Sequence, residues 1–117
     1  HEDGVALYKQ ALANHRIHLN SYGETASLIN LGAVYNLMGR KEQSAECYQK
    51  ALTVASKHGR VAQQIVLLNN LGQLASGQPE KAAALYQEAL ELEKGSPQTL
   101  TRNILLTNLA EAWLSMG

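Results

Sequence analysis

The sequence predicts an all-α fold of about six helices, laid out as a row of antiparallel hairpins. Three observations predict it. First, Leu28, Leu31, Gly32 and Tyr35 fall at i, i+3, i+4 and i+7, one face of a helix. Gly39-Arg40 interrupts that helix, and Ser44, Tyr48 and Ala51 mark the face of a second one. Second, the landmarks recur. Leu31-Gly32 returns as Leu71-Gly72 and, with Ala for Gly, as Leu109-Ala110, at steps of 40 and 38 residues. Tyr8, Tyr48 and Tyr86 keep the same steps, as do Ala11, Ala51 and Ala89. Third, no stretch alternates polar and apolar residues for long enough to read as a strand.

The first helix is expected from Glu2 to Arg16. The second runs from Tyr22 to Met38, where Ser21 and Glu24 have the spacing of a capping box. The third runs from Lys41 to Lys57 and stops at Gly59, a residue type suited to the left-handed position after a helix. The fourth is expected from Arg60 to Ser76. The fifth opens on Pro79, suited to a first helical turn, and ends at Lys94 before Gly95. The sixth follows Ser96-Pro97 and runs to Met116. The 38-residue step reflects a turn at Gly77-Gln78-Pro79 that is two residues shorter than the one from Leu37 to Lys41.

Composition narrows the function. The 117 residues balance ten acids against ten Lys and Arg, without the basic excess that nucleic-acid binders usually show, so no nucleic-acid partner is expected. No apolar run approaches about 18 residues, so no membrane span is expected. The chain opens without a charged n-region and apolar h-region, and its single cysteine, Cys47, excludes an internal disulfide. These features together point to a reducing, cytoplasmic setting. His15 and His18 form an H-x2-H, but His18 has a counterpart at His58, so it reads as a repeat position near a helix C-terminus rather than a metal ligand. Cys47 sits beside Tyr48 on a packing face and reads as a buried thiol. Glu88, Glu91 and Glu93 read as a solvated acidic face, with Lys94 placed to pair with Glu91. No phosphate loop, nucleophile elbow or zinc spacing is present, so neither catalysis nor a cofactor is expected.

The landmarks resemble the tetratricopeptide repeat, whose signature is W-x2-L-G-x2-Y, then A-x3-F, then A. One repeat gives Leu28-x2-Leu31-Gly32-x2-Tyr35, then Ser44-x3-Tyr48 and Ala51. The next gives Leu68-x2-Leu71-Gly72-x2-Ala75, then Ala82-x3-Tyr86 and Ala89. Leu106-x2-Leu109-Ala110-x2-Trp113 is a first half alone, and Gly4-x3-Tyr8 with Ala11 a second half alone. The array thus divides into a half repeat 1–20, repeats 21–59 and 60–95, and a half repeat 96–117, as in a segment of a longer array. The period is 40 rather than 34, and the proline that usually closes the second helix is absent. Long repeats of this kind are similar to those of kinesin light chains and LGN/Pins-type polarity adaptors, and to the sensor arrays of some large bacterial regulators.

The resemblance implies a right-handed superhelical solenoid whose first helices line a concave groove that binds an extended peptide or helix of a partner protein. Asn30, Asn70 and Asn108 each precede the Leu of Leu-Gly or Leu-Ala, about 100° from the packing face. The expected peptide site comprises Asn30, Ala33, Asn69, Asn70, Gln73, Thr107, Asn108 and Glu111, with Arg60 and Arg102 favouring an acidic partner. An amide is donor and acceptor at once, and so suits a peptide backbone. Three helices packed at roughly 8–10 Å would grip roughly six extended residues. The alternatives are that the asparagines brace the array, and that the chain is a structural or sensing segment. Helix six is apolar nearly all round, so its uncovered side is expected to self-associate.

Overall fold

The computed structural model describes residues 2–17, 21–94 and 99–117, with side chains described at 3–13, 22–94 and 101–117. These residues form α1 (Glu2–Ile17), α2 (Ser21–Leu37), α3 (Lys41–Lys57), α4 (Val61–Leu74), α5 (Pro79–Glu93) and α6 (Thr99–Ser115), and no strand. The chain forms two compact units, His1–Arg60 and Val61–Gly117. In the first, α2 packs on α1 and α3; in the second, α5 packs on α4 and α6. The Ser21–Glu24 capping box, the Gly95 stop and the Ser96-Pro97 start fall outside the described side chains.

The helices end where the sequence supplies left-handed backbone. Gly39 and Gly59 adopt φ of +75° and +65°. At the first, Arg40 N–H donates to Tyr35 O (2.9 Å) and Gly39 N–H to Asn36 O (3.0 Å). At the second, Arg60 N–H donates to Ala55 O (2.9 Å) and Gly59 N–H to Ser56 O (3.2 Å). Both are Schellman closures, which satisfy carbonyls that the helix end leaves unpaired. The shorter turn closes differently. Gln78 N–H donates to Ala75 O (2.8 Å), and Gly77 is not among the positive-φ glycines. This turn ends α4 at Leu74, two residues before the expected Ser76, and Pro79 starts α5.

Each hairpin is closed by a glycine on its first helix and a tyrosine on its second. A Cβ built on Gly32 would lie 2.6 Å from Cε1 of Tyr48, and one on Gly72 would lie 2.5 Å from Cε1 of Tyr86. Tyr48 and Tyr86 thus lie inside their own hairpins, on the bare glycine backbone. Tyr8 behaves otherwise, packing from α1 against Val5, Leu31, Tyr35 and Cys47. Beside the first crossing, the buried Ser44 hydroxyl donates to Gly32 O at 2.6 Å. A small residue at position 44 thus serves twice: it admits the neighbouring helix and bonds its backbone.

The repeat landmarks are buried in both complete hairpins: Leu28, Leu31, Tyr35, Tyr48 and Ala51 in one, Leu68, Leu71, Tyr86 and Ala89 in the other. In α6 only Leu109 of the corresponding face is buried; Leu106, Ala110 and Trp113 are exposed, and α6 buries Leu105, Leu109 and Ala112.

The glycine–tyrosine contact yields a direct prediction. Gly32→Ala should lower stability by about 1–3 kcal/mol through overpacking, although alanine improves helix propensity by about 1 kcal/mol. Thermal melts of the variant, run beside Gly77→Ala, should show the loss at position 32 alone, since nothing lies within 4 Å of a Cβ on Gly77.

Candidate functional site

The expected site residues sit on first helices, except Arg60, which lies in the turn just before α4. In the first unit, α2 carries Asn30 and Ala33, both exposed. In the second, α4 carries Asn69 and Asn70, half-buried, and Gln73, exposed; α6 carries Asn108, half-buried, with Thr107 and Glu111 exposed. The positions follow from helical geometry. Each asparagine of the column precedes a buried leucine, so its side chain emerges at the edge of the packed face.

The structure joins α4 to α6 through two of these residues. Asn108 Nδ2 donates to Asn69 Oδ1 at 2.7 Å, part-buried. The column expected from the repeat register pairs Asn108 with Asn70; the hydrogen bond instead reaches one position back. The side-chain amides of Asn30 and Asn70 make no hydrogen bond with a described residue. The Thr107 hydroxyl donates to Asn103 O one turn earlier at 2.9 Å. An open depression of about 230 Å³ runs along α6 between Asn103, Ile104, Thr107 and Asn108. Val66 and Ile104, the apolar members of the same columns, are exposed.

Both arginines assigned to an acidic partner are engaged within the chain. The Arg60 guanidinium lies 5.1 Å from the ring centroid of Tyr22, a cation–π distance. Arg102 Nη1 donates to Glu93 Oε2 at 3.1 Å, with the two side chains 44% and 4% exposed. Glu93 therefore corrects the expectation of a solvated acidic face. Glu88 and Glu91 are exposed, and Lys94 pairs with Glu91 at 3.1 Å, but Glu93 is buried. Sequence spacing carried the signal: Ala82, Tyr86 and Ala89 continue at four- and three-residue steps to Glu93. Tyr22 had no such signal, because it matches no repeat landmark.

The remaining chemistry is sparse. Burial pushes the Cys47 thiol above its ordinary value, which disfavours the nucleophilic thiolate. Burial also raises the Tyr86 phenol, and the charge of Glu111 adds to the shift. Among the described residues no group of three or more His, Cys, Asp or Glu is arranged to hold a metal. The side chains of His15 and His18 lie outside those described; His58 forms the C-cap of α3. No described helix is long and apolar enough to cross a membrane.

Paired helices, a small-residue crossing and an aromatic on the second helix define a helical-repeat protein. The family model described as tetratricopeptide repeat matches residues 23–94, and the chain belongs to that family. Membership makes it, in general terms, a protein–protein interaction module. A search of curated proteins finds no match.

Two predictions follow from the buried groups. Arg102→Ala should cost about 2 kcal/mol or more, because it leaves a buried carboxylate unpaired, and replacing Glu93 and Arg102 together by Leu and Met should recover most of that loss in chemical denaturation. Cys47 should react with a disulfide exchange reagent far more slowly in the native protein than in urea, read as absorbance of the released thiol.

Proposed function

We propose that the chain binds an extended segment of a partner protein along the groove face lined by its first helices, with the contacts on α4 and α6 of the second unit. The observation that carries this reading is the composition of that face in the second unit. Half-buried amides at Asn69, Asn70 and Asn108 lie at the margin of the core, flanked by exposed Val66, Ile104, Gln73 and Glu111. Amides at the edge of apolar surface pair with peptide N–H and C=O groups, while apolar neighbours take up side chains. Asn30 and Ala33 offer the same chemistry on α2. Within this reading Asn69 and Asn108 act as a brace that sets the spacing of α4 and α6, and Asn70 meets the ligand. Arg60 and Arg102 are positioned by Tyr22 and Glu93, so charge selection falls mainly to Glu111.

A second reading, a structural segment that packs or self-associates through α6, is favoured by the exposed apolar side of that helix. The test that separates them uses peptides selected from a random displayed library against the whole chain. Asn70→Ala should weaken the selected peptides by about 1 kcal/mol, roughly fivefold, with the melting temperature unchanged. Asn108→Ala should lower the melting temperature, since it breaks the brace. Peptides that bind Asn70→Ala and wild type equally would overturn the assignment of the face.

A further inference from the structure

Charge is divided unevenly among the helices of the second unit. The second helix, α5, carries Glu80, Lys81, Glu88, Glu91 and Glu93, and all but Glu93 are exposed. The first helix, α4, carries no charged residue, and yet it exposes Val61, Ala62, Val66 and Gln73. The next first helix, α6, carries two, Arg102 and Glu111. The solvent-facing side of a helix ordinarily holds Lys, Arg, Asp and Glu. Exposed surface without them has the composition of the core of a protein–protein interface, where charged residues are depleted.

One charge is set against this neutral surface. Ile104, Asn108 and Glu111 fall at i, i+4 and i+7 on α6 and form one stripe of the helix. The hydrogen bond from Asn108 to Asn69 turns that stripe toward α4. Burial, and then the charge of Glu111, raise the phenol of Tyr86, whose ring lies on Gly72 of α4. The Glu111 carboxylate is thus exposed at the side of α6 that borders α4. Arg102, the other charge of α6, points the other way, to the buried Glu93 of α5. Among the described residues the Glu111 carboxylate makes no ion pair.

We infer that the partner segment held on this face is basic where it crosses Glu111 and otherwise uncharged. A Lys or Arg of the partner meets the Glu111 carboxylate, and none of the side chains turned toward α4 and α6 is acidic. The inference rests on the peptide face proposed above and names the class of ligand that the face takes. A partner that covers Glu111 removes water from an unpaired carboxylate, which is costly unless the partner brings a cation. An acidic segment brings like charge instead. The remainder of the face offers amides and apolar side chains, which give a second ligand charge no counterpart. The sense is opposite to the acidic partner expected from Arg60 and Arg102, both of which are engaged within the chain.

The test is a displayed library of random peptides selected on the whole chain, followed by titration of single peptides against variants. The selected peptides should be enriched in Lys or Arg and depleted in Asp and Glu. Glu111→Gln should weaken them roughly fivefold, the upper range for an exposed ion pair. The melting curve should not move, because the side chain is exposed. Changing the basic residue of the peptide to Gln should cost the same factor against wild type and nothing against Glu111→Gln, which isolates the direct pair. A fresh selection on Glu111→Lys should turn to acidic peptides. Peptides that are weakened by Asn70→Ala but are acidic, or bind Glu111→Gln as tightly as wild type, overturn this inference and leave the peptide face standing. Peptides that respond to Glu111→Gln and ignore Asn70→Ala keep the basic partner and discard the amide contact. Peptides that ignore both substitutions, or a library that yields no binder, overturn both.

Discussion

Everything in this molecule depends on two places where a helix has no side chain. At Gly32 and Gly72 an aromatic ring rests on backbone, closer than any Cβ would permit. The contact sets the separation of the paired helices, and that separation decides which neighbours become core. Leu31 and Leu71 are buried beside the crossing, and Ser44 comes close enough to bond the Gly32 carbonyl. Two mid-helix glycines lower helix propensity by about 1 kcal/mol each. Burial of Tyr48, Tyr86 and the surrounding leucines offsets this, at roughly 1.5–3 kcal/mol per large apolar side chain.

The architecture was legible in the sequence because it is written in residues with one physical use. A glycine at a fixed offset from a leucine, with a tyrosine sixteen or fourteen residues later, admits few packings. Gly39 and Gly59 were legible for the same reason, since a helix end in left-handed backbone favours glycine. The site was less legible. The asparagines were found by register, but register does not say which amide bonds which, and Asn108 chose Asn69 over Asn70. The role of Arg102 was hidden because a charge is read as solvated until its partner is known to be buried. Glu93 continues the spacing of the core face, so periodicity marked the position while its residue type argued against it. Tyr22 and Arg60 meet without any pattern in the chain, through tertiary geometry alone.

The amide pair at Asn69 and Asn108 gives the second unit a kind of joint that charge would not. Neither group titrates, so the bond persists across the pH range over which an ion pair would fail, and salt screens it little. The same unit holds α5 to α6 through the ion pair of Glu93 and Arg102, half in solvent on the arginine side. The amide pair joins α4 to α6 directly and borders the proposed peptide face.

The turns at Gly39 and Gly59 carry a further consequence, for handedness. Their φ values belong to the mirror image of the usual helical region, and a Cβ there would meet no atom within 4 Å. The positions are therefore spacious but intolerant of an L-residue. A D-amino acid has the opposite preference and is at ease in this conformation. A D-alanine at either position would fit the turn without strain while restricting the unfolded chain, which is a route to added stability. Glycine is the only genetically encoded residue that meets this demand at little strain, and it does so by having no handedness at all. Each hairpin of a wholly L-protein that ends in this way thus contains one place where the polypeptide would be better served by its enantiomer.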